Sequence, residues 1–293
     1  MNPAPPTTSA APRHRTTHAG MRALLGAFAV LTALATIALF VLADNTSQTF
    51  AWTIEPPLTA AFIGAGYGAG FVLVVLSLRD PVWAHSRVPV LTIFVFVVLT
   101  LVATLLHINR LHFDDDFGGL DLLAKGAAWF WLAVYIAIPV AMAVLLVLQE
   151  RTPGDDPPPR DPVPVVLRLA LALESAVLLV VGALLYVDPL TAEWVWPWPL
   201  TPFTARVVAA WLLAFGLATA LAAVAGDLRR LRTAAIAYTV FGVLVLLAVA
   251  RFPSTLDWDS APAWIFIGVA VAVVLTGAAG WRAAPAAASR SRG

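Results

Sequence analysis

Residues 89–108 read Pro-Val-Leu-Thr-Ile-Phe-Val-Phe-Val-Val-Leu-Thr-Leu-Val-Ala-Thr-Leu-Leu-His-Ile, with His107 the only side chain able to carry charge. A helix of about 20 residues crosses the ~30 Å hydrocarbon core of a bilayer, and lipid offers its backbone polar groups no partner but one another. The stretch therefore reads as a transmembrane helix. Outward from it, similar apolar runs occupy residues near 22–43, 58–78, 127–149, 164–187, 206–226, 233–251 and 263–281, giving eight spans. Pro89 and Pro164 stand at the starts of the third and fifth, where a missing N–H costs nothing. The fold class this predicts is an all-α integral membrane protein, its eight transmembrane helices arranged as two parallel four-helix repeats.

Composition points the same way. The chain is 12% charged and 60% hydrophobic, with a mean hydropathy of +0.86, whereas a soluble domain carries about 25% charged residues. Its lack of cysteine excludes disulfides, iron–sulfur clusters and cysteine-based zinc sites. A net charge of +1 predicts no nucleic-acid partner.

An even number of spans puts both ends on one side. Of the 18 lysines and arginines, only Arg110, Lys125, Arg206 and Arg251 fall on the opposite side. Cytoplasmic loops collect positive charge, so the bias predicts a plasma-membrane protein with both termini cytoplasmic. The first run is too long for a signal-peptide core and reads as a span. Residues 1–21 read as a disordered cytoplasmic tail, 22–149 as a first four-helix unit, 150–163 as a Pro/Asp-rich solvated linker, 164–281 as a second unit and 282–293 as another cytoplasmic tail.

The repeat rests on Trp52-Thr-Ile-Glu-Pro-Pro57-Leu-Thr59 before span two and Trp194-Val-Trp-Pro-Trp-Pro199-Leu-Thr201 before span six, a shift of 142 residues from 52 to 194. Arg110 and Arg251 close spans three and seven, and Ala128-Trp129 and Ala263-Trp264 open spans four and eight. Units of four spans insert the same way up, which predicts a pseudo-two-fold axis along the membrane normal.

The Trp-x-Ile-x-Pro-Pro-Leu-Thr-Ala segment at 52–60, followed by Ala-Gly-Tyr-Gly, Leu-Leu-His107 and Leu-His112-Phe, resembles uncharacterised polytopic membrane proteins of actinobacteria. The resemblance covers most of the chain; it implies the membrane class and no activity.

Glu174 is the one formally charged side chain deep within a span, where an ionised carboxylate is expensive. It reads either as a proton or cation site or as a protonated acid bonded to a neighbouring helix. Tyr67 in span two and Tyr135 in span four complete the candidate intramembrane polar site, Pro139 removing the N–H that the Tyr135 carbonyl would accept. Gly64, Gly66, Gly68 and Gly70 form overlapping small-xxx-small pairs for close helix packing, or bare backbone for a substrate to approach; bulkier Val208 and Leu212 stand in the matching stretch of span six.

Most of the tryptophans fall near the non-cytoplasmic boundary and read as an aromatic belt. The alternative is a lipid- or quinone-like ligand held between loops carrying Trp52, Pro57, Trp194 and Pro199, with Arg110 and Arg251 beside them. His107, His112 and Asp114 are weak metal candidates, because the histidines lack the i, i+4 spacing of a shared helix face. No cofactor is expected.

Three function classes follow: a small-solute or ion permease, a non-enzymatic accessory, scaffold or sensor subunit of a membrane complex, and an enzyme acting on a lipid-linked substrate. The expected partners are the lipid bilayer, a small solute or ion, and another membrane protein. The enzyme ranks last, since the spans hold no nucleophile–base pair.

Overall fold

The computed structural model describes residues 14–113, 122–190 and 194–284. Eight helices are long and apolar enough to cross a membrane: α1 (Ala19–Val41), α2 (Pro57–Arg79), α3 (Trp83–Leu106), α4 (Leu122–Glu150), α5 (Val165–Val187), α6 (Pro202–Ala225), α7 (Leu228–Arg251) and α8 (Ala261–Ala283). Among the described residues there is no strand beyond isolated bridges. The chain is an all-α multi-pass membrane protein.

Local chemistry sets the helix ends. Pro57 and Pro202 occupy the first turns of α2 and α6, and the Thr201 hydroxyl accepts from the Thr204 N–H as cap of α6. Gly226, at φ 62°, ends α6 in the left-handed conformation, and Asp227 immediately caps α7, so these helices reverse over two residues. Pro89 is not a start: α3 begins at Trp83, with Pro89 inside the helix, because its first turns carry His85 and Arg87 beyond the apolar run. Pro164 is the residue preceding α5 rather than its first.

α2 and α6 form the centre, with 67% of their central windows buried against 22% in α1 and α4. α2 packs on α1 and α7; α6 packs on α5 and α3; α3 meets α4, and α7 meets α8. Exchanging every helix with the one four further on maps this set of neighbours onto itself.

The loops at the tryptophan-rich end cross between halves. Trp52 precedes α2 but packs on Phe203 of α6, ring centroids 4.6 Å apart. Trp198 precedes α6 but donates its indole N–H to the Thr59 hydroxyl of α2 at 2.8 Å. By environment the counterpart of the buried Trp52 is Trp196 or Trp198; Trp194 is 72% exposed. The 142-residue register is offset by three at the helix starts, the helix-opening prolines lying 145 apart at 57 and 202.

At the arginine-rich end, residues 14–18, expected as tail, are held in place. The fully buried Gln149 accepts from the His18 N–H at 2.6 Å and donates to the Thr16 carbonyl at 3.0 Å. The expected hinge is tied as well: Arg87 pairs with Asp156 at 2.8 Å, Arg229 with Asp161, and Val163 N–H donates to the Gly226 carbonyl at 3.0 Å. Residues 1–13 and 285–293 lie outside the described residues.

Candidate functional site

A cavity of about 750 Å³ lies between α1, α2, α3 and α4, with Trp211 and Phe215 of α6 as its floor. It exists because α4 does not close on its neighbours. α7 and α8 approach through glycine: a Cβ on Gly277 would stand 2.5 Å from the Thr239 hydroxyl, and one on Gly242 would meet Val274 at 2.7 Å. α3 has no glycine, and Gly126 of α4 has nothing within 4 Å of where its Cβ would be. Leu34 of α1 and Leu122, Leu123 and Phe130 of α4 line the cavity while 55–86% exposed, so it opens sideways between these helices. The walls are almost wholly apolar.

Beside Thr32, Thr49 and Thr92, a pair of tyrosines lines it. The Tyr67 and Tyr135 hydroxyls, on α2 and α4, bond to each other in a short contact. Two hydroxyl hydrogens serve one mutual bond, which leaves one for another acceptor. Phe96 stacks on Trp211 beneath them, centroids 3.8 Å apart. Gly66 makes the floor possible, since its Cβ would enter the Trp211 indole at 2.6 Å. Gly64 lies against the Leu39–Phe40 backbone in the last, π-helical turn of α1, and Gly68 against Leu244 of α7; Gly70 has only ordinary contacts. The glycines of α2 thus face three different helices.

Glu174 lies in the other half. It is 8% exposed, and its Oε1 accepts from the Thr276 hydroxyl of α8 at 2.6 Å, while Oε2 and the nearby Tyr238 hydroxyl are buried with no hydrogen-bond partner. A space of about 50 Å³ touches Tyr238 and Thr276 and runs past Leu231 and Gly280; Glu174 does not line it.

A third cavity, of about 300 Å³, opens at the tryptophan-rich end among Trp52, Thr53, His107, Arg110, His112, Thr201, Pro202 and Phe203. Arg206 on the first turns of α6 donates to His107 Nε2 at 2.8 Å, which fixes that imidazole as neutral with its proton on Nδ1. Burial first, then the Arg206 and Arg110 charges, holds the His107 pKa below its ordinary value. His112 Nδ1 donates to the Phe50 carbonyl at 3.0 Å, so its Nε2, 3.1 Å from the Thr53 hydroxyl, is the accepting nitrogen.

No family model, curated protein or solved structure matches the chain. The site is therefore read from its own geometry.

Both histidine lone pairs are thus engaged, and among the described residues no three of His, Cys, Asp and Glu converge; Asp114 lies outside those residues. Trp52, Arg110, His107 and His112 meet in this cavity. Pro57 opens α2, Pro199 is exposed in its loop, and Arg251 serves elsewhere: it donates to the Phe40 and Val41 carbonyls at 2.6 and 3.1 Å and pairs with Asp44 at 2.7 Å, closing the end of α1. Sequence reasoning left out Arg206 as a site residue, and its partner His107 is 99 positions away. It also missed the α1–α4 cavity, for which no sequence signal exists.

Proposed function

We propose that this membrane protein binds an apolar, lipid-like ligand, drawn sideways from the bilayer into the α1–α4 cavity, and acts as a lipid-handling accessory subunit. The observation that carries this is the apolar 750 Å³ space with exposed leucines at its mouth; ligand sites of this kind span about 300–1,000 Å³ with few polar groups. The Tyr67–Tyr135 pair supports a ligand with one oxygen at its buried end. A conduit for polar solutes calls for a polar lining, which this cavity lacks. The test is Gly126→Leu, which fills the cavity from a position that touches nothing. Native mass spectrometry after detergent extraction should show retained lipid in the wild type and roughly tenfold less in the variant. Equal retention would refute the reading.

A proton- or cation-coupled permease is the second reading, favoured by the water-sized space beside the partners of Glu174. In proteoliposomes Glu174→Gln should then abolish a pH-dependent flux at unchanged protein yield; a wild type without flux rejects it.

The positive-inside bias further supports a plasma-membrane protein with both termini cytoplasmic. Cysteine at Ser254 should label with an impermeant thiol reagent in intact cells, and cysteine at Asp156 should not. The exchange-invariant helix neighbours support two parallel repeats.

A further inference from the structure

The cavity at the tryptophan-rich end is lined by Arg110, with Arg206 behind His107, and among the described residues no carboxylate pairs with either. Among the described residues neither Arg110 nor Arg206 forms an ion pair, whereas Arg251, at the corresponding end of α7, is paired with Asp44. A guanidinium carries five N–H donors. Arg206 uses donors on His107 and, weakly at 3.4 Å, on the Pro202 carbonyl; the Arg110 guanidinium is exposed with no hydrogen bond to a described residue. His107 is stacked on Phe203, ring centroids 5.3 Å apart, with Nδ1–H as its remaining polar edge. The walls otherwise are Trp52, Phe203, Pro202 and the hydroxyls of Thr53 and Thr201. This lining of about 300 Å³, which among the described residues holds N–H donors and no carboxylate, suits a tetrahedral oxyanion, which takes several N–H groups at once.

We infer that this cavity binds a phosphoryl group, with Arg110 supplying charge and forked donors, His107 Nδ1–H a further donor, and Arg206 positive charge from behind His107. The inference does not rest on the lipid-like ligand proposed for the α1–α4 cavity. The two spaces do share a wall, since Trp52, lining one, meets Trp131, lining the other, at 4.9 Å. Two sources offer this chemistry: free phosphate in the aqueous phase and the headgroup of an anionic phospholipid. A rival within the chain is the run Asp114-Asp115-Asp116, which directly follows His112-Phe113.

The test uses the full chain purified in a maltoside detergent, which contributes no phosphate. In one arm inorganic phosphate is titrated and followed by phosphorus NMR line broadening. In the other, micelles are doped with phosphatidic acid and retention is read by native mass spectrometry. Binding in at least one arm should weaken roughly tenfold in Arg110→Gln and in Arg206→Gln. It should be unchanged in Arg79→Gln, an exposed arginine at the opposite end. A result in the first arm alone assigns free phosphate, and in the second alone a headgroup. The Arg110 guanidinium holds no structural bond, so its variant carries the test if Arg206→Gln fails to fold. The inference falls if neither probe binds, if Arg110→Gln binds as the wild type does, or if binding appears only after Asp114, Asp115 and Asp116 are changed to asparagine, which would make the chain its own counter-ion.

Discussion

The four helices α1–α4 and the four helices α5–α8 adopt the same neighbour relations, yet the first set encloses about 750 Å³ and the corresponding space in the second about 90 Å³. Helix order decides which surfaces meet; the presence or absence of single Cβ atoms decides how near they come. Gly242, Gly277 and Gly280 let α7 and α8 nest, while α3 has no glycine to offer α4. Without a hydrophobic drive between helices in lipid, close packing is what holds them together, so the looser half is the one that keeps the larger cavity.

The comparison can be broken most forcefully at Gly277. Gly277→Leu places a branched side chain where even a Cβ clashes with the Thr239 backbone N at 2.8 Å, so it should cost about 3 kcal/mol. Loss of monodisperse protein and a lowered unfolding temperature in detergent would register this; an unchanged temperature would mean the second half is not held by that contact.

Next in size is the contrast between Arg251, in the last turn of α7, and Arg110, which follows α3. Arg251→Gln removes charge-assisted bonds to two α1 carbonyls and to Asp44 and should cost about 1–3 kcal/mol. Arg110→Gln should leave thermal stability unchanged within error. Equal losses would show Arg110 to be structural too.

A smaller effect of opposite sign belongs to Gly126. Gly126→Ala meets nothing and gains helix propensity, so it should stabilise by up to about 1 kcal/mol, visible as a modest rise in unfolding temperature. A fall would mean that the cavity is closed in solution.

The smallest effect is a pH dependence confined to the first half. His107, facing Arg206, Arg110 and His112, has its folded pKa depressed by burial and then by the two arginines, so below about pH 6.5 the unfolded chain binds more protons than the folded one. The stability His107 contributes is complete above that value and declines as pH falls through its folded pKa. His107→Gln should flatten thermal stability between pH 7 and pH 5; an unchanged slope would place the titration elsewhere.

Much of the fold is written in hydropathy, because lipid solvates side chains and the spans follow directly. What hydropathy misreads are the helix ends. Trp83–Val88 and Leu228–Arg232 are helical yet rich in polar or charged groups, since a helix continues into the interface as long as its backbone bonds are made. The site was legible only in parts. Glu174 stands out as a deep acid, but its partner Thr276 is 102 residues away, a distance no local pattern records. Tyr67 and Tyr135, singled out on separate spans, turn out to be bonded to each other. The cavity depends on what α4 does not touch, and Gly126 looks in sequence like any other small residue.

α4 is the longest span, 29 residues or roughly 43 Å of helix. Gln149 and Glu150 fasten its arginine-rich end to residues 15–18 and to Trp83, and Trp131 holds it further along by one bond to Thr104; beyond it Ala124 and Ala128 are buried while Leu122, Leu123 and Phe130 face the open side of the cavity. The halves themselves are latched at both membrane faces, by the crossed tryptophan loops at one and the Arg87–Asp156 and Arg229–Asp161 pairs at the other. Mechanically the molecule is a frame braced at both ends, and in the α4 wall of the cavity the slack lies at Gly126, where no described neighbour comes within 4 Å of a Cβ position.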